Sequence, residues 1–149
     1  MSILTRIARH PPADLVLAAE ALLLLAFFRA CLALMPVHRI IRAITHGRAA
    51  QTESISDKSV TGPAVAQALR VRWAVESVTR NSPAAFVCFP QTLAGYTMLR
   101  LRHIPSTMVY GVARSPKGNL IAHTWLTLGD RIVLGGDGSA HFTPIERWA

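Results

Sequence analysis

The chain has 149 residues, of which 51% are hydrophobic and 16% charged, and its formal net charge is +8. A domain of this size buries roughly 70% of its unfolded surface, so the composition points to one packed domain and excludes disorder. The basic excess favours anionic surfaces or acidic peptides. Nucleic acid is disfavoured as a partner, because aromatic residues are only 7% of the chain and no RNA- or DNA-binding motif is visible.

Two cysteines, Cys31 and Cys88, lie far apart and form no paired motif. No disulfide scaffold is expected, a reducing cytoplasm is the default compartment, and no zinc-type spacing is present. No metal or other cofactor is expected.

Pro11, Pro12 and Asp14 mark a helix start, with proline tolerated in the first turn and an acid near the positive end. The helix is predicted to run to Leu34, where Met35-Pro36 ends it. Its window from Leu15 to Phe28 is apolar enough to raise a membrane question. A spanning helix needs about 20 largely apolar residues, and Glu20 and Arg29 interrupt this one. A buried or partner-docking helix is the preferred reading, and membrane contact the weaker one. Val37 to Thr45 then shows helical spacing, with Ile40, Ile41 and Ile44 set against Arg39 and Arg42, and Gly47 closes it.

The stretch 48–62 is polar, small and free of aromatics, which reads as a loop. Pro63 opens a third helix carrying Val65, Leu69, Val71, Trp73, Val75 and Val78, and Asn81-Ser82-Pro83 ends it. A fourth, amphipathic helix is predicted from Pro90 to His103, stopping at Ile104-Pro105. Three short strands follow: Thr107 to Ala113, Leu120 to Leu128 and Asp130 to Leu134. The turns Ser115–Asn119 and Gly129-Asp130 separate them. The fold class is therefore α+β: N-terminal helices, then a Cys-bearing helix packed on a small antiparallel sheet. Residues 1–149 form a single domain, with an N-terminal helical part at 1–47, a loop at 48–62 and a core at 63–149.

Cys88 stands at or near the start of the fourth helix. Backbone N–H groups there favour thiolate over thiol and can hold an oxyanion on an attacked carbonyl. His123 lies in a strand, where it shares a face with Trp125 and not with Thr124. A cysteine at a helix start and a histidine in a later strand form a thiolate–imidazole pair, adjacent in space and not in sequence. Gln91, Gln67 and Trp73 are candidates for the second oxyanion donor. His103 fits the negative end of its helix. His38, His46 and His141 read as surface residues, and Trp148 as a core or fraying residue. The arginines Arg39, Arg42, Arg70, Arg72, Arg100 and Arg102 read as a solvated face or as a dock for an acidic partner.

Residues 88–145 resemble the B-type maturation proteins of lasso-peptide gene clusters. The resemblance is carried by Cys88, by Leu99-Arg100-Leu101-Arg102-His103-Ile104-Pro105 and by Val109-Tyr110-Gly111-Val112. Ala122-His123-Thr124-Trp125, Gly129-Asp130 and Phe142-Thr143-Pro144-Ile145 follow in the same order. The resemblance implies a transglutaminase-like (papain-like) core and a cysteine peptidase that cuts the leader from a precursor peptide, often after a penultimate threonine. It also implies a triad acid about a dozen residues after the histidine. Gly135 and Gly136 occupy that place here, so Asp137 is the nearest acid, with Asp130 as its rival. Longer relatives carry a fused leader-recognition domain. This chain looks like the split type, which implies a separate leader-recognition protein and an ATP-dependent macrolactam synthetase as partners. Two other readings stay open: a different transglutaminase-like activity, such as amide transfer or deamidation, and a non-catalytic scaffold in a peptide-maturation complex.

Overall fold

The computed structural model describes residues 11–45, 62–82 and 87–149. It contains α1 (Pro12–Leu34), α2 (Val37–Ile44), α3 (Gly62–Asn81), α4 (Cys88–Leu101), β1 (Thr107–Arg114), β2 (Leu120–Leu128), β3 (Arg131–Leu134), a 3-10 turn (Ser139–His141) and β4 (Thr143–Trp148). His46, Gly47, Pro83 and the polar stretch expected as a loop lie outside the described residues, except that Gly62 opens α3.

Helix α1 begins with Pro12 in its first turn and ends at Met35, whose extended backbone precedes Pro36. It sends Leu17, Ala21, Leu25 and Phe28 into the core, at spacings of one helical turn. Its opposite face leaves Val16, Leu23, Phe27 and Leu34 exposed. The helix is long and apolar enough to cross a membrane, by length and composition. Glu20, the charge that breaks its apolar run, has a partner: Arg102 at the end of α4 grips both carboxylate oxygens, at 2.6 and 2.9 Å. That hydrogen bond raises the Arg102 pKa, against the lowering effect of burial. Asp14 is likewise held by Arg70 of α3 at 2.6 Å. Asp14 and Glu20 thus tie α1 to its neighbours.

Helix α4 is the centre of the molecule. It packs against α1, α3 and the sheet, and Thr92, Leu93, Ala94, Gly95, Met98 and Leu99 are all buried. The amphipathic pattern expected from the sequence is therefore corrected: a helix covered on most sides has little polar face. Gly95 allows close packing of the sheet, since a Cβ there would lie 2.8 Å from a Leu134 methyl, which would have to shift. The helix ends in a Schellman-type turn, with Ile104 N–H donating to the Leu99 carbonyl and His103 N–H to that of Arg100. His103 takes the left-handed position at φ 55°, so its role there is in the backbone as well as in its charge.

The sheet is antiparallel, in the order β3-β2-β1-β4. The sequence shows three of its strands. The fourth, β4, pairs with β1 and carries Pro144, which hides its strand character. Proline is tolerated there because β4 is an edge strand with a register irregularity opposite Tyr110 and Gly111. Trp148, at its end, opposes Met108 and is buried in the shared core. The β2–β3 hairpin turns through Gly129, at φ 59°, and Asp130.

The Glu20–Arg102 fork makes a stability prediction. Glu20→Gln keeps the shape but loses the charge-assisted pair, and should cost about 1 kcal/mol. Thermal unfolding should fall by roughly 2–4 °C. An unchanged midpoint would mean that the fork adds nothing to the docking of α1.

Candidate active site

Cys88 is the first residue of α4, after Val87 as the N-cap. Its half-buried thiol sits where the first N–H groups of a helix lack intrahelical partners. Pro90, in the same first turn, has no N–H to leave unsatisfied. One turn on, the Thr92 hydroxyl lies 2.9 Å from the Cys88 carbonyl. It also lies 3.1 Å from the Thr124 hydroxyl and 3.3 Å from the Thr124 carbonyl. A hydroxyl donates only once. The shortest of these contacts makes Thr92 the donor to Cys88, with the Thr124 hydroxyl donating to Thr92 in turn. The first turn of α4 is thereby fastened to the β2 residue that follows His123.

His123 stands opposite Gly111 in the β1–β2 register. Strand alternation sends Thr124 toward α4 and the His123 ring to the other face, beside Trp125 and Phe142, at ring-centre distances of 6.0 and 5.1 Å. Gly111 leaves room for this cluster, since a Cβ there would meet the Trp125 ring at 2.7 Å. The imidazole Nε2 is 2.8 Å from the Gly135 carbonyl oxygen. A carbonyl only accepts, so Nε2 carries the proton and donates, which leaves Nδ1 as the basic nitrogen of the neutral ring. Among the described contacts, the Cys88 sulfur and the His123 ring share no direct hydrogen bond. Such bonds are often long before a substrate arrives and tighten on its binding.

Gly135 stands where the expected acid would. Its φ is +72°, and a Cβ would lie 2.8 Å from the Thr124 carbonyl oxygen and 3.2 Å from the Trp125 Cα. No side chain fits, and the backbone carbonyl makes the hydrogen bond to the imidazole. Asp137 is exposed, in the turn before the 3-10 segment, and has no hydrogen bond among the described residues. Asp130 is at the β2–β3 hairpin tip, beyond the Leu128–Arg131 pair. Seven residues of extended chain separate it from His123, on the order of 20 Å.

Of the proposed oxyanion donors, Gln67 is exposed on α3, while Gln91 is half-buried in the first turn of α4 and Trp73 half-buried on α3. His38 and His141 are exposed, as expected. Among the described residues, no group of three or more His, Cys, Asp or Glu side chains is placed to hold a metal ion. The missed features are the Thr92 clamp and the Gly135 carbonyl. Neither has a sequence signal, because a buried hydroxyl and a backbone oxygen acquire partners only through tertiary packing.

Comparison with protein families matches residues 21–147 to the Transglutaminase-like superfamily. No curated protein and no solved structure matches the chain. The family match spans most of the chain, from α1 through β4, and the chain belongs to this superfamily. Its members are generally cysteine-based enzymes, and membership is compatible with peptidase or amide-transfer chemistry.

The close pass of Gly135 over β2 can be tested directly. Gly135→Ala combines a positive φ with a backbone clash and should cost about 2 kcal/mol. That corresponds to a fall of roughly 4–8 °C in the unfolding midpoint. A variant as stable as the parent would show that the chain does not run so near Thr124.

Proposed function

We propose that this transglutaminase-like protein is a cysteine peptidase that removes the leader from a lasso-peptide precursor in the cytoplasm. The observation that carries the peptidase reading is the Thr92 clamp. It holds the turn bearing Cys88 against the strand bearing His123. The lasso-peptide substrate is supported by the ordered motifs from Cys88 to Ile145.

In this mechanism the Cys88 thiol and the His123 ring, which share no hydrogen bond in this structure, are brought together when substrate binds. The thiol then gives its proton to Nδ1, and the sulfur attacks the scissile carbonyl. N–H groups at the start of α4 take the developing oxyanion. The imidazolium then protonates the leaving amine, the C–N bond breaks and a thioester remains. Water, deprotonated by His123, resolves the thioester to acid and free thiol. The Gly135 carbonyl fixes the tautomer by accepting from Nε2, the task an aspartate performs in a triad. Asp137, the acid nearest in sequence to Gly135, makes no hydrogen bond to the imidazole. A separate leader-recognition protein presents the precursor, and an ATP-dependent macrolactam synthetase closes the ring.

Incubating precursor and recognition protein with the enzyme, and following products by mass spectrometry, tests the proposal. Cys88→Ala and His123→Ala should each lower cleavage by about 10³-fold or more while the fold persists. Asp137→Asn should lower it by less than about tenfold, against roughly 10⁴ for loss of a true triad acid. Normal cleavage by Cys88→Ala would sink the enzyme reading. A mass gain without cleavage would move the function to deamidation.

A further inference from the structure

A cavity of about 540 Å³ opens between α2 and the β1–β4 side of the sheet. Phe89, the residue after Cys88, forms part of its wall. Tyr110, another wall residue, pairs with Thr124 in the sheet register. The cavity therefore lies on the helix-facing side of the sheet, next to the first turn of α4 that carries Cys88. Its size lies within the roughly 300–1,000 Å³ typical of ligand sites. That is more than one side chain fills.

The lining is chemically divided. Phe89, Tyr110 and Trp148 form a chain of ring contacts at 5.8 and 6.4 Å, and Val37 and Ile41 of α2 close the apolar part. On the α2 side stand His38 and Arg42, with the single acid Glu146 on the β4 side. Arg70, Arg72, Arg80 and Arg102 are all paired with acids. Arg42 is exposed and has no ion pair or hydrogen bond among the described residues. Arg100, in contrast, spends its guanidinium on the Ile44 carbonyl, anchoring the C-terminal end of α2. A helix held at one end presents a fixed basic row over an aromatic floor.

We propose that this cavity is the substrate subsite of the same active centre, and that it takes a bulky apolar or aromatic side chain of an acidic peptide. The aromatic floor holds the side chain by burial and ring contact. Arg42 meets a neighbouring carboxylate on the peptide. The net charge of +8 attracts such a peptide over a longer range. The peptide nature of the occupant rests on the peptidase reading, whereas its apolar and acidic character rests on the lining.

The test uses the full chain carrying Cys88→Ala, so that binding is read apart from turnover. Calorimetry compares three synthetic peptides, acetylated and amidated: one with two aspartates followed by phenylalanine and two glycines, one with alanine in place of phenylalanine, and one with lysines in place of the aspartates. The phenylalanine peptide should bind about tenfold or more tightly than the alanine peptide. It should bind several-fold more tightly than the lysine peptide. Val37→Trp, added to narrow the apolar part of the cavity, should reduce the phenylalanine preference. Arg42→Glu, on an exposed position, should erase or invert the charge preference. Equal binding of all three peptides, binding of none, or an unchanged phenylalanine preference in a folded Val37→Trp protein overturns the subsite. Cleavage of the precursor by the parent protein, with the recognition protein present, is scored separately. Selective binding without cleavage supports the subsite and counts against the peptidase. Cleavage without selectivity does the reverse.

Discussion

The Thr92 hydroxyl is buried between a helix and a strand, where leaving it unbonded would cost on the order of 1–3 kcal/mol. It is satisfied by the Cys88 carbonyl within its own helix and by the Thr124 hydroxyl across the gap. That requirement sets the axial position of α4 on β2. Sliding the helix by one turn, about 5.4 Å, would break the contact and carry the thiol away from the histidine strand. Gly95, one turn beyond Thr92, guards the same register by admitting Leu134 and Leu126 close to the helix. The burial of α4 supplies the energy, and the hydroxyl supplies the position.

A second constraint acts on the other side of the strand. Gly135 passes so close to Thr124 and Trp125 that only a residue without Cβ fits. Its carbonyl reaches the His123 ring as a consequence. The orienting acceptor is then a neutral dipole, where a carboxylate would carry a full charge. A neutral acceptor fixes the tautomer but stabilises an imidazolium less. The stack of Trp125, His123 and Phe142 limits rotation of the ring, so orientation is set by packing as well as by the hydrogen bond.

The order of helices and the β1–β2–β3 meander were legible in the sequence because proline, glycine and hydrophobic period mark them locally. The placement of Cys88 at a helix start and of His123 in a strand was legible for the same reason, since both are local features. β4 was not, since Pro144 argues against a strand unless the edge position and the irregularity beside Tyr110 are known. The amphipathic reading of α4 failed because Thr92, Ala94 and Gly95 are small or polar residues that tertiary contacts bury. Glu20 read as an interruption, and its meaning emerged only with Arg102, 82 residues away. Gly135 stands where an acid was expected, and the backbone carbonyl that bonds His123 there has no side-chain signature.

The account turns on whether Cys88 and His123 act on each other. Alkylation by iodoacetamide near neutral pH, resolved by peptide mass spectrometry, measures this with Cys31 as the internal control. Both thiols are half-buried, so exposure alone gives them similar rates. Cys88 should react about tenfold or more faster than Cys31, and His123→Ala should remove the difference while Cys31 is unaffected. Equal rates at the two cysteines in the parent protein, or a Cys88 rate untouched by His123→Ala, would contradict it.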